Sequence, residues 1–362
     1  MPDDRQNWPC NQCGADLRYE PGATELVCDH CGARQPIPEA PAARTRALNE
    51  IDLDRGLSDD LPAAQMEEVR ITPCPSCGAQ VEFQGATHAT ECPFCATPVA
   101  IGTGEERRIK PQAVLPFVLD EGQARDAMTN WLGSLWFAPN GLQDYARKGR
   151  KLNGLYVPYW TFDAATRSHY AGARGDHYYE TRTVTRNGRT ETEQVRRTRW
   201  SPRSGWVARR FDDVLVLASQ SLPRTYTDNL APWDLSALQP FRGDFLAGFT
   251  AEGYTVPLAE GHAIGREVMA GVIRQDIRAD IGGDEQRIDR VDTEWSAETF
   301  KHILLPIWMA AYKYNGKSYR FVVNGQTGKV QGERPWSAWK IAFAVLAALI
   351  VGGIVFYISQ NQ

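Results

Sequence analysis

The sequence predicts an α+β protein: two rubredoxin-like zinc ribbons, a β-rich body with a weak internal repeat and a few helices, and one C-terminal transmembrane helix. Three observations predict it. Eight cysteines occur as four CxxC pairs in two sets, each cysteine of the second set lying 64 positions after its counterpart in the first. Much of the middle of the chain alternates polar and apolar residues around Asn-Gly turns, and LYVPYW (155–160) is echoed by ILLPIW (303–308). Ile341–Ile358 is an eighteen-residue apolar run without a charge.

The ribbons come first, at residues 1–36 and 71–104. Cys10 and Cys13 face Cys28 and Cys31, and Cys74 and Cys77 face Cys92 and Cys95, with fourteen residues between the pairs of each set. Zn²⁺ takes four soft ligands in a tetrahedron, and a CxxC turn offers two thiolates on one side. Gly14, Gly32 and Gly78 follow three of the pairs and permit the positive φ of a tight knuckle. Short strands are expected at Asp16–Tyr19, Glu25–Val27, Gln80–Phe83 and Ala89–Glu91. Four cysteines close each site, so both zinc ions read as structural rather than catalytic. Such a module has too little core to fold alone, and metal supplies its folding energy. Redox CxxC motifs are the competing reading, which the duplicated ribbon spacing opposes. His30 and His88 read as loop residues. Residues 37–70 form an acidic, Pro/Ala-containing linker with one docking element around Leu48, Ile51 and Leu53.

The body spans residues 108–334. Asp120 caps a helix running to about Phe137, with Ala127, Trp131 and Leu135 on one face and Pro139-Asn140-Gly141 ending it. Gly154–Ala164 is an apolar strand. Asn187-Gly188 sits in alternating Thr and Val and marks a two-residue hairpin. Seven arginines lie between Arg182 and Arg203. Glutamates are mixed among them and aromatic interleaving is lacking, so a solvated ribbon is preferred to a phosphate-binding arm. Phe211–Leu217 reads as a buried strand and Pro257–Ile281 as a helix with a wide apolar arc stopped by Gly282-Gly283. Arg287–Trp295 fits a helical turn at least as well as a strand. Asn315-Gly316 and Asn324-Gly325 are hairpin turns.

Composition narrows the function. The chain has 362 residues and a net charge of −4, so nothing pulls it in bulk toward nucleic acid or anionic lipid. Cysteines confined to CxxC pairs, without an N-terminal export segment, point to metal in a reducing compartment. Gly316-Lys317-Ser318 is not a P-loop, because Ala311 stands where the first glycine belongs. His169, His177, His262 and His302 stand apart from the cysteines, no catalytic constellation is visible, and the expectation is a non-enzyme. Both ribbons carry more acidic than basic residues, which opposes nucleic-acid binding as the alternative function.

The apolar run fits the hydrocarbon thickness of a bilayer at about 27 Å as a helix. Trp336, Trp339 and Tyr357 flank it, and Arg334 and Lys340 lie only on its N-terminal side. That predicts a single span at residues 337–359 in the cytoplasmic membrane, with the N-terminus and body in the cytoplasm. A buried core helix is the competing reading. Ala344, Ala348 and Gly352 make a small-residue row that would suit helix–helix pairing and a homo-oligomer.

The two CxxCGA ribbons, LNEIDLDRGL (48–57), YVPYW, LPIW, VNGQTGKVQGERP (323–335) and the terminal run together resemble a bacterial family of membrane-anchored zinc-ribbon proteins. Its members are labelled TFIIB-type zinc-ribbon proteins or the zinc-binding part of a primosomal replication helicase. The resemblance covers nearly the whole chain. It implies an adaptor or scaffold that recruits SPFH (flotillin-like, virion-core) or phage-shock-type membrane-stress proteins, with the eight cysteines as its functional positions.

Overall fold

The computed structural model describes residues 8–38, 48, 50–58, 60–76, 78–82, 89–92, 94, 97–100, 105–137, 152–186, 189–314, 317–333 and 337–360. The fold is mixed α+β and rich in strand. In chain order it begins with a three-stranded sheet, β1 (Leu17–Tyr19), β2 (Glu25–Cys28) and β3 (Arg34–Pro36). Then come β4 (Ile51–Asp52) and α1 (Leu53–Leu57), the docking element. Ile51 and Leu53 are buried as expected, but Ile51 is strand and pairs with Phe300 of the body. Strands β5 (Met66–Pro73), β6 (Gln80–Glu82), β7 (Ala89–Glu91), β8 (Pro98–Ala100) and β9 (Glu105–Ile109) follow. Here β5 pairs with β6 at one end and with β9 at the other.

The body is built from a unit used twice. The first consists of β10 (Ala113–Val114), α2 (Glu121–Ser134), β11 (Asn153–Arg186) and β12 (Arg189–Leu217). After a short helix, α3 (Arg224–Asp228), and β13 (Gln239–Pro240), the second consists of β14 (Thr250–Ala251), α4 (Leu258–Ile281), β15 (Glu285–Tyr314) and β16 (Lys317–Asn324). Strand β17 (Val330–Gly332) and helix α5 (Ala338–Gln360) close the chain. The long strands β11 and β15 pair antiparallel through the repeated motifs, Leu155 opposite Ile307 and Tyr159 opposite Ile303. Each unit lends its first strand to the other: β10 pairs parallel with β15, and β14 parallel with β11. This reciprocity is a local two-fold axis between the units, and it extends the repeat seen in sequence to whole βαββ units.

The two prolines of the repeat have a structural cause. Proline breaks a central strand because it lacks an N–H. Along its outer edge β11 is paired with β14 at Leu155 and Tyr156, and with β12 from Tyr159 onward. Pro158 falls in the gap, and its carbonyl accepts from Ala218 N at 3.0 Å on that outer side. Pro306 falls in the equivalent gap of β15, between β10 at Ile303–Leu304 and β16 from Ile307, and accepts from Gly325 N at 2.9 Å. Neither proline removes a ladder bond.

Several elements differ from expectation. The ambiguous stretch 287–295 is strand, part of the thirty-residue β15. Helix α2 has the expected Asp120 cap, closed by Gln123 into a capping box, but ends at Ser134. Its buried line is Ala124, Met128 and Leu132, while Ala127, Trp131 and Leu135 flank it. The Asn187-Gly188 and Asn315-Gly316 turns lie outside the described residues, although pairing runs to Arg186–Arg189 and Tyr314–Lys317. Asn324-Gly325 opens a longer loop, in which the Asn324 side chain accepts from Gln326 N and Thr327 N and the positive φ falls at Gly328.

Side chains alternate across the sheet. One face of the central pair presents Tyr156, Leu304 and Trp308 to the first ribbon and α2, and Trp160, Phe162 and Phe300 to α4. The other presents Leu155, Val157, Ile303 and Leu305 to Cys74, Cys92, Phe94 and Val99 and to the segment around Leu222, Leu230 and Leu238. The three long strands also kink at one level. Register shifts at Asp163 coincide with positive φ at Asp213 and Ala297. Buried Lys301 ties this kink to the linker, pairing Asp213 at 2.8 Å and Glu50 at 3.0 Å.

Candidate metal centre

The first cysteine set forms a compact cluster. Cys10, Cys13, Cys28 and Cys31 bring all four sulfurs within 4.8 Å of one another. Cys10 Sγ lies 3.5 Å from Cys31 Sγ, and Cys13 Sγ lies 3.5 Å from Cys28 Sγ. A tetrahedron of thiolates at the Zn–S distance of about 2.3 Å has edges of about 3.8 Å, so these spacings fit one tetrahedral ion.

Local sequence produces this geometry. In each knuckle the first cysteine donates its N–H five residues on: Cys10 to Ala15, Cys28 to Ala33, Cys74 to Ala79 and Cys92 to Thr97. In three of them a glycine four residues on donates back to the cysteine carbonyl, and Gly14, Gly32 and Gly78 hold φ between 72 and 75°. The duplicated cysteines therefore carry a duplicated backbone. Cys74 and Cys92 are buried in one cluster with Ala79, Phe94 and Val99, while Cys77 and Cys95 lie outside the described residues.

Electrostatics explains why the first cluster suits a cation. The Gln12 N–H, 3.4 Å from Cys10 Sγ, and the Cys13 N–H bring the Cys10 thiol down to about 7. The Ala15 N–H favours the Cys13 thiolate, yet hydrogen bonding of its S–H to the neighbouring sulfurs of Cys31, Cys28 and Cys10, together with burial, pushes this thiol up to about 12. Cys31 is also pushed up, despite the Ala33 N–H, by burial and its neighbours. One thiolate forms readily, and further negative charge among four crowded sulfurs needs a positive ion to hold it.

The first cluster is anchored to the body. Tyr19 N donates to Ala247 O at 3.0 Å, and its hydroxyl donates to Ala23 O at 2.9 Å and Phe117 O at 3.3 Å. Its ring meets Phe245 edge-on at 5.4 Å. Gly22, at φ +79°, donates to Phe117 O at 2.8 Å. The β1–β3 sheet thus shares its core with α2 and the central sheet. Spacing alone could not show that, because Tyr19 and Phe245 are far apart in sequence.

The histidines occupy separate places. His30 is exposed and His88 lies outside the described residues. His169 packs on Trp206, His177 meets Glu285 at 2.7 Å, and His262 meets Glu298 at 2.7 Å. His302 is buried between Trp160 and Tyr254, its Nδ1 facing Ile109 O at 2.8 Å, and burial pushes it down to about 4. Two acidic features were not legible in sequence. Glu50, Asp163 and Asp212 place carboxylate oxygens within 4.8 Å of one another beside the kink. Desolvation and the Glu50 contact raise Asp163 to about 7, and the sequence separation of these residues gave no warning. Glu252 is fully buried, with Ser219 Oγ donating to its Oε1 at 2.8 Å and Ser221 Oγ donating to the same oxygen.

At the other end of the chain, Ser337 Oγ faces Lys340 N at 3.4 Å at the start of α5. Ala338–Ser359 has a mean hydropathy of 2.7, is long and apolar enough to cross a membrane, and has no buried residue in its apolar window. A buried core helix is therefore not its role. Neither a protein-family model nor a solved structure matches the chain. Over 340 residues it is 27% identical to the uncharacterized protein YdjG of Bacillus subtilis (strain 168), a match covering 93% of this chain and 92% of that protein.

Proposed function

We infer that the protein is a membrane-anchored zinc-ribbon adaptor at the cytoplasmic face, holding two structural zinc ions, each on four cysteines of a rubredoxin-like ribbon. The observation that carries this reading is a cluster of four thiols at tetrahedral spacing, built into the core of a body whose chain ends in an exposed apolar helix. Soft thiolates favour zinc, and reduced thiols suit the cytoplasm. Arg334 and Lys340 on the near side of the helix favour the same orientation. Two ribbons packed on opposite faces of one sheet offer a partner two fixed surfaces. The family resemblance supplies the partner class, SPFH or membrane-stress proteins. These assemble on membranes, where an anchored adaptor gains avidity.

The test is a tagged pull-down from detergent-solubilised membranes, with and without nuclease, read by mass spectrometry. The adaptor predicts enrichment of an SPFH or phage-shock-type protein that nuclease leaves intact and that Cys28→Ser or Cys74→Ser weakens. Enrichment of replication or transcription proteins that nuclease abolishes, with no nuclease-resistant SPFH or phage-shock-type partner, would replace this reading.

A further inference from the structure

The long hairpin β11–β12 carries a charge unlike the rest of the chain. Between Ala164 and Arg210 there are eleven arginines and four carboxylates. Register places three of these arginines, Arg167, Arg196 and Arg210, on the face turned away from α4, while Arg174, Arg197 and Arg209 lie on the α4 side and pair with Asp176, Glu180 and Asp276. Helix α4 covers one face of the β12–β11–β15 sheet, packing Met269, Ile273, Ile277 and Ile281 on Tyr170, Val207 and Val291. The opposite face is open. Register places Arg167, His169, Trp200, Trp206 and Arg210 on it, with Arg287 and Arg290 from β15. Beyond the Gly175–Glu285 pair the hairpin continues without β15 as a two-stranded arm of roughly 36 Å, with Tyr179 opposite Arg196 on the same face.

Aromatic rings interleave with these arginines, which overturns the expectation drawn from sequence. Tyr179 is 66%, Trp206 51% and Trp200 41% exposed. The Arg167 guanidinium lies over the Trp206 ring at 4.4 Å, and that of Arg287 over Trp200 at 5.5 Å. Trp200 crosses the sheet at Gly175, where an added Cβ would sit 3.1 Å from the ring. The glycine lets the indole lie against the strands and present its face. Trp200 and Trp206 are six residues apart on one strand, roughly 20 Å, and Tyr179 lies about 13 Å beyond Trp200. The carboxylates on this face are Glu285, Asp292 and Glu294, and Asp289 in the neighbouring bulge pairs with Arg287 at 2.9 Å. Glu285 is held by His177 and Thr198, and Asp292 by Arg290.

We propose that this open face binds single-stranded nucleic acid, with bases stacking on Trp200, Trp206 and Tyr179 and phosphates meeting Arg167, Arg196 and Arg210. Aromatic rings and guanidinium planes on an uncovered antiparallel sheet, backed by a helix, are the arrangement on which unpaired bases stack. A lipid surface would call for rings protruding into the acyl boundary, and Trp200 lies flat. A duplex would hide the base faces that the rings engage. The proposal is independent of the adaptor reading, since it uses no ribbon residue.

The test uses the full chain in detergent micelles and fluorescence anisotropy with labelled oligothymidine and oligouridine of about 20 nucleotides. Both should bind more tightly than a duplex of equal length, and their difference reports whether the sugar is read. Trp200→Ala with Trp206→Ala should weaken binding about tenfold or more, and the corresponding double Phe variant should restore most of it. Tyr179→Ala, on the arm outside the core, gives a second readout if the double Ala variant loses its β-sheet circular dichroism. Unchanged affinity in these variants overturns the proposal. So does displacement of both oligonucleotides by phosphatidylglycerol doped into the micelles, where the terminal helix is already embedded, if the Trp200 and Trp206 substitutions abolish that lipid effect, which would assign the face to lipid.

Discussion

Glu252 sits in the body away from the cysteine cluster, and its protonation is coupled to folding. Burial raises its carboxyl from 4.5 to about 7, while the Ser221 and Ser219 hydroxyls bonding its Oε1 pull the other way. A carboxyl with a raised folded value favours the protonated fold. Its contribution is fully present below about pH 4.5 and is lost as pH rises through 7. The full loss is on the order of 3 kcal/mol. Glu252→Gln keeps the shape and removes the charge, so it should match the wild type at pH 4 and unfold at higher temperature at pH 8. Thermal unfolding of both proteins across that range checks it, and parallel profiles would show that Glu252 titrates alike in the folded and unfolded chain. The cysteines make a sharper demand. Cys28→Ser replaces a buried soft ligand with a hard one, and should lower bound zinc from two ions per chain to one. Because this ribbon shares its core with Phe117 and Phe245, the same variant should also lower the unfolding temperature of the body. Zinc content by mass spectrometry that stays at two would refute the four-thiolate assignment.

Helix α4 shows how an element depends on where its glycines face. Gly261 and Gly265 lie one turn apart over β11, where an added Cβ would meet Trp160 at 2.5 Å and Phe162 at 2.8 Å. Gly271 meets nothing within 4 Å. Alanine is the better helix former by about 1 kcal/mol, so Gly271→Ala should stabilise by up to that amount. Gly261→Ala gains the same propensity but overpacks the sheet, and should destabilise by roughly 1–3 kcal/mol. Opposite shifts in unfolding temperature test the packing of α4, and shifts of one sign would refute it. The helix itself was legible in sequence, because its apolar arc repeats at helical spacing and Gly282 stops it at φ +64°. The knuckles were legible for a similar reason: cysteine spacing and the following glycine are local. The long strands were not. Pro158, Gly172, Gly175, Pro202 and Pro306 look like breakers, and each is accommodated by a partner that local sequence does not reveal. Gly172 lies where an added Cβ would meet the Arg287 carbonyl at 2.2 Å, a contact set by a residue far along the chain. The Trp200 and Trp206 stacks were missed likewise, because each depends on an arginine brought by another strand.

At the scale of the whole molecule, the ribbons and the apolar helix meet on one frame. Two βαββ units exchange their first strands, and the resulting sheet packs Cys10 and Cys28 on one face and Cys74 and Cys92 on the other. The terminal helix adds nothing to that core. It follows β17 after a few residues, and its main described tie to the body is Ser337 N donating to Phe137 O at 2.8 Å. Its apolar surface is wholly uncovered, so in water it would expose far more contiguous hydrocarbon than a soluble protein tolerates. A bilayer removes that surface at about 25 cal/mol per Å², which makes insertion effectively irreversible for a span of this length. The core lies elsewhere, so removing the helix should leave it folded. Deleting residues 337–362 should therefore move the protein from membranes to the soluble fraction with both zinc ions and the unfolding temperature of the body retained. Membrane retention of the truncated chain would mean that a second surface holds the bilayer. Release into the soluble fraction with loss of zinc would mean that the helix supports the fold after all, against its complete exposure.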